Sequence, residues 1–135
     1  LQGLASGKFP LPPVMHNGRY RVAKAEKGLV VVEGDPSPAF LNPMNVIHGG
    51  WIATVLDTAM ACAAQSVCDI GEGTTTIEFK VNCVRPITEA TGKVTAVGEV
   101  IQRGRRLATT KATMTDQDGK VLAHGTETSM IFPPE

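Results

Sequence analysis

Two hydrophobic periods divide the chain. Between Gly49 and Cys68, Trp51, Val55, Ala59 and Cys62 recur at helical spacing, as do Ile52, Leu56 and Met60. Apolar and small residues occupy most sides of this segment, which predicts a helix enclosed by the fold. Beyond Gly71-Glu72-Gly73 the period drops to two. Ile77, Phe79, Val81 and Cys83 then fall on one face, and Thr76, Glu78, Lys80 and Asn82 on the other. Pro86 ends that strand. Strand-like runs follow over 92–102, 106–116 and 120–132, separated by the hairpin-type turns Arg103-Gly104-Arg105 and Asp116-Gln117-Asp118-Gly119. Ahead of the helix, the run RYRVAKAEKGLVVVEGDP (19–36) reads as two strands around a tight turn at Lys27-Gly28. Residues 39–48, with Pro43 and little periodicity, read as a loop. The first eighteen residues, broken by Pro10, Pro12, Pro13 and Gly18, read as an arm rather than an element.

The predicted order is two strands, one buried helix, then four strands joined mostly by tight turns. This is an α+β pattern, an antiparallel sheet wrapped around one helix, with residues 19–135 forming a single domain behind the arm 1–18. Such a sheet leaves one side of its helix uncovered, and a second copy of the chain is the economical cover.

Charge and composition narrow the function classes. Lys plus Arg number 13 and Asp plus Glu 13, so the net charge of zero lacks the basic footprint of a nucleic-acid binder. Cys62, Cys68 and Cys83 make an odd count without a C-x-x-C pair, which argues against a disulfide framework or a structural zinc and for a reducing, cytoplasmic setting. The N-terminal stretch has no basic start followed by an apolar run, so no signal peptide is expected. Residues 49–68 are long enough to cross a bilayer, but Asp57 sits mid-segment beside Thr54, Thr58, Gln65 and Ser66. An intramembrane carboxylate is costly, so a soluble protein is expected.

Asp57 is the one ionisable carboxyl or amine between Gly49 and Cys68, with Ala53, Thr54, Met60 and Ala61 at helical contact distance. A carboxylate among such groups needs a hydrogen-bond partner, a raised pKa or a cleft. It is either a structural aspartate or a functional one. At the other end, Gly49 and Gly50 follow His48 at the helix start. Side-chain-free N–H groups at the positive end of a helix suit an anion or a developing oxyanion, or else simply permit a tight junction. His48 is a candidate general base or a packing residue. His16, His48 and His124 are scattered, so no metal site is expected. Neither a G-x-S-x-G elbow nor a phosphate-binding loop is present. Arg103, Arg105 and Arg106 form a basic hairpin tip, and Arg85 is a further candidate; the tip is a phosphate site or a solvated turn.

The run Asn42-(x5)-His48-Gly49-Gly50-(x6)-Asp57 resembles the motif of PaaI-like hotdog thioesterases. The resemblance continues through Thr76–Pro86, Gly104–Ala108 and Asp118–Gly125, covering roughly residues 19–132. It implies a hotdog fold and hydrolysis of an aryl- or medium- to long-chain acyl-CoA, with coenzyme A as part of the substrate and no separate cofactor. It further implies that Gly49 donates its N–H to the thioester carbonyl, with Gly50 beside it in the substrate site. Asp57, from the partner subunit, would act as general base or nucleophile. Asn42 would orient water or thioester, His48 would support the loop, and Thr76 or Thr75 would hold the water. Dimers, paired into tetramers, are the implied assembly. Spacing bears independently on the dimer: eight residues of helix separate Gly49 from Asp57 by about 12 Å, too far to meet on one acyl group. A hotdog hydratase or dehydratase and a non-catalytic acyl-CoA-binding protein are the competing readings.

Overall fold

The computed structural model describes all 135 residues. The arm holds two short helices, α1 (Gln2–Ala5) and α2 (Pro13–Gly18), where the sequence suggested none. Pro13 opens α2, a position where the missing N–H costs nothing and the fixed φ suits a helix. Met15 of α2 is buried in the core, and Leu1, Leu4 and Ala5 pack against it. The arm is thus a layer on the domain, and its prolines shape that layer rather than prevent it.

The sheet follows the predicted order. Strands β1 (Tyr20–Glu26) and β2 (Leu29–Gly34) form the first hairpin, around Gly28 at φ +84°. After a single 3₁₀ turn at Pro38–Phe40 comes α3 (Gly49–Ser66), then β3 (Gly73–Cys83), β4 (Val94–Arg103), β5 (Leu107–Thr115) and β6 (Val121–Phe132). All pairings are antiparallel, in the order β1-β2-β4-β5-β6-β3, which leaves β1 and β3 at the edges.

Helix α3 lies across the concave face and touches every strand. Trp51, Ile52, Val55, Leu56, Ala59, Met60, Ala63 and Ala64 are buried on it. Each large side chain among them contributes about 1.5–3 kcal/mol by leaving water. The approach is closest at β4, where a Cβ on Gly98 would collide with the Ala59 carbonyl, so only glycine admits the helix there. On β6, a Cβ at Gly125 would collide with the Lys80 carbonyl of β3, so glycine there admits the neighbouring strand.

Strand β3 departs from strict alternation. Its register against β6 shifts between Thr76 and Glu78, so Ile77 is the extra residue of a bulge. Thr76 therefore shares the inner face with Phe79, contrary to the period-two reading that placed them on opposite faces. Ile77 is 51% exposed and Phe79 44%, on a strand that lies at the edge of the sheet.

Candidate active site

The helix start is built by its own loop. Asn42 Oδ1 accepts from the Met44 N–H at 2.9 Å and the Val46 N–H at 3.3 Å, closing a tight turn with Asn45 in the left-handed region at φ 62°. The turn is pinned to the core by Ile47, whose N–H donates to the Ile87 carbonyl, and by the His48 N–H, which donates to Phe40. Phe40 in turn stacks on Trp51 with ring centroids 5.5 Å apart. Asn42 thus spends its carbonyl oxygen on the loop and keeps its amide N–H groups.

His48 is the N-cap of α3. Its Nδ1 accepts from the Gly50 N–H at 2.9 Å, which places the proton of the neutral ring on Nε2. The histidine is a cap, so a general-base role at Nδ1 is closed to it. The Gly50 N–H is likewise committed and does not face a substrate. A Cβ on Gly50 would sit 2.9 Å from His48 Nδ1, so a larger residue there would displace the capping ring. The N–H groups of Trp51 and Ile52 both donate to the His48 carbonyl. Of the four N–H groups that open the helix, that of Gly49 alone has no partner in the chain. Gly49 is exposed, and nothing lies within 4 Å of where its Cβ would be. One free donor at the positive end of an eighteen-residue helix is the minimal apparatus for polarising a carbonyl oxygen.

Two turns further along, Asp57 is half-buried, and its Oδ1 accepts from the Thr76 hydroxyl at 3.1 Å. Of the two threonines the sequence left open, Thr76 makes the contact and Thr75 is exposed on the outer face. Thr74, two before Thr76, also faces the helix, donating to Gln65. Nearby, Thr58 Oγ1 lies 3.2 Å from the hydroxyl of Tyr20, whose pKa burial raises. Burial pushes the Cys62 thiol up to about 11, so it is a packing residue rather than a nucleophile.

Sequence reasoning missed Glu127. It lies on the inner face of β6 with 0% of its surface exposed, and within hydrogen-bonding reach of Asp57. Burial first, then the neighbouring Asp57 carboxylate, pushes its pKa up to about 9. The aspartate was the carboxyl expected to be perturbed by an apolar helix, yet the strand facing that helix carries the more buried acid. The signal was faint: on β6 the bulkier apolar Met130 and Phe132 occupy the other face, where they are exposed.

The basic hairpin divides. Arg103 is half-buried and ion-paired with Glu72 and Asp69, so it is tied to this chain's own acids rather than free for a phosphate. Arg105, Arg106 and Arg85 are exposed and form no ion pair within the chain. No helix is long and apolar enough to cross a membrane.

Residues 44–123, which span the Gly49–Asp57 helix and most of the sheet, match the model of the Thioesterase superfamily. A Saccharolobus solfataricus protein that is named as an esterase is 32% identical over 103 residues, 76% of this chain and 71% of that protein. Among solved structures, a thioesterase family protein of Silicibacter pomeroyi superposes with a TM-score of 0.85 at 28% identity, covering 97% of both chains. The Escherichia coli PaaI protein from the phenylacetic acid degradation operon superposes with a TM-score of 0.86 at 20% identity, covering 98% of this chain and 94% of its own. With the matched segment carrying both ends of the site, and the sheet wrapped around one helix as in these structures, the chain belongs to the thioesterase superfamily and has the hotdog fold.

Proposed function

We propose that this protein hydrolyses the thioester of an aryl- or medium- to long-chain acyl-CoA to the free acid and CoA, at sites shared between two subunits. The observation that carries the reading is the Gly49 N–H, the one unpaired donor at the start of α3. It would polarise the thioester carbonyl and bind the oxyanion as charge develops. Asp57 of the other subunit would take the proton of an attacking water, or attack the carbonyl carbon itself. A thiolate leaves readily, so these two groups suffice for the chemistry. Thr76 holds one Asp57 oxygen in place. The free amide N–H groups of Asn42 are available to orient water or thioester, and the unpaired Arg105 and Arg106 to meet the CoA phosphates.

Two features support a shared site. Within one continuous helix, Gly49 and Asp57 stand about 12 Å apart. The outer edge of β3 has no strand against it in this chain, and Ile77 and Phe79 beside it are exposed. A second copy pairing there would extend the sheet and bring its own helix start toward Asp57. A dehydratase reading is disfavoured because His48 is committed to its cap and has no acidic partner.

The test is steady-state hydrolysis of a panel of aryl- and fatty-acyl-CoAs by wild type, Asp57→Ala and Asp57→Asn. Both variants are expected to lose kcat by ~10²–10⁴-fold while still binding the esters. Binding without turnover by wild type would favour a non-catalytic acyl-CoA-binding protein, and undiminished hydrolysis by the variants would remove Asp57 from the site.

A further inference from the structure

Glu127 is the one fully buried acid of the chain, and nothing in the hydrolytic scheme above uses it. A carboxyl on the inner face of a sheet is expensive to keep, so its surroundings indicate what it does. Its Oε2 accepts weakly from the Ser129 hydroxyl at 3.4 Å, and its Oε1 meets no donor of the protein. Thr110, directly across the ladder on β5, also has a buried hydroxyl oxygen without a partner, so β5 offers no relief. What Glu127 does face is Asp57, whose Oδ1 already accepts from Thr76.

Two adjoining carboxyls served only by the Thr76 and Ser129 hydroxyls, with no cation paired to either, cannot both be ionised at low cost; together they hold one proton. The other titratable groups around the pair are few. From α3 only Cys62 joins Asp57, and burial keeps that thiol neutral. On β3, Glu78 and Lys80 belong to the outer face, with Glu78 accepting from Thr128. The inner face of β5 presents Ala108, Thr110, Ala112 and Met114, none of them ionisable, and that of β6 adds Gly125 and Ser129. Tyr20 of β1 lies within the field of Asp57 as a neutral phenol.

We propose that Glu127 is a positioning residue for Asp57. Its carboxyl carries the proton of the pair and donates it, as a hydrogen bond, to the Asp57 carboxylate, while Thr76 donates to the same group from β3. Two donors from two strands fix the carboxylate against rotation and leave its remaining lone pairs for water or thioester. Loss of the Glu127 proton at alkaline pH would replace a donor by a second negative charge and release Asp57 from its alignment. The burial of Glu127 up to a pKa of about 9 places that limit above neutral pH.

The proposal rests on Asp57 acting in hydrolysis, and the experiment separates the two. Glu127→Gln keeps an N–H donor and cannot ionise; Glu127→Leu removes the donor. In the protein as it assembles in solution, Glu127→Gln is expected to retain kcat within a few-fold at neutral pH and to lose the alkaline fall in kcat/KM. Glu127→Leu is expected to lose kcat by ~10–100-fold with little change in KM. Infrared spectra of wild type should show a protonated carboxyl band at neutral pH that titrates away near pH 9, is absent from Glu127→Gln, and titrates at lower pH in Asp57→Ala. Should Glu127→Leu fail to fold, the Gln variant and the spectra still decide. An unchanged alkaline limb in Glu127→Gln, a wild-type kcat in Glu127→Leu, or no carboxyl band would each overturn the role of Glu127. Turnover by Asp57→Ala, with the band still shifted, would instead overturn the role of Asp57 and leave the paired acids standing.

Discussion

Folded, Glu127 holds its proton up to about pH 9, whereas the ordinary value for a glutamate is 4.5. Below the ordinary value both states are protonated, and the residue makes stability no different. Between the two values the unfolded chain releases a proton that the native chain retains, so the unfolded state is favoured as pH rises. The slope is at most about 1.4 kcal/mol per pH unit for one proton, and it flattens above the folded value. Glu127→Gln, which cannot titrate, should therefore melt at a higher temperature than wild type, with a gap that widens from pH 5 to pH 9. Thermal melts across that range check it, and parallel curves would show that Glu127 is ionised in the native chain. This cost of carrying the acid is what one expects of a group kept for chemistry rather than for the fold. Of the candidate site, the run that carries Asn42, His48, Gly49 and Asp57 was legible because its spacing is itself a motif. Glu127 was not, because its meaning comes from Asp57 on a helix seventy residues upstream and from Thr76 on a neighbouring strand. Strand alternation alone would have turned Met130 and Phe132 inward instead.

At the scale of elements, the helix start admits a direct test of its free donor. Proline is accommodated at the first position of a helix, where its missing N–H would be unpaired anyway. His48, which precedes that position, has φ −59° and ψ 135°, the extended region that a residue before proline prefers. No atom of the chain stands within 4 Å of a Cβ at Gly49. Gly49→Pro should then leave the melting temperature near wild type while reducing kcat by ~10²–10³-fold, the usual effect of deleting one oxyanion donor. Full activity in a folded Gly49→Pro variant would show that the carbonyl is polarised elsewhere. The elements themselves were legible because their periods are strong, α3 most of all. Two features escaped. In the arm, α2 was hidden by Pro13, which here begins a helix instead of breaking one, and α1 is a single turn too short to show a period. The bulge at Ile77 left no mark in the alternation of β3, yet it is what turns Thr76 toward Asp57.

For the whole molecule, the proposed shared site rests on the open edge at β3 and the roughly 12 Å between Gly49 and Asp57, both of which a second copy would resolve. The sequence carried this argument through the spacing and through a sheet too small to cover its helix, and it can be decided by mixing inactive subunits. Asp57→Ala has an intact helix start, and Gly49→Pro has an intact aspartate. In a mixed dimer, the Gly49 of the first chain meets the Asp57 of the second and one competent site is restored, while the other site carries both lesions. Random exchange makes half the dimers mixed with one of two sites working, so about a quarter of wild-type activity should return. Two mutants that each fail alone would thereby recover together, which no arrangement confined to one chain permits. Mixtures that stay as inactive as their components, under conditions where labelled subunits are seen to exchange, would place the whole site within a single subunit. That outcome would also leave the apolar edge of β3 needing a different cover.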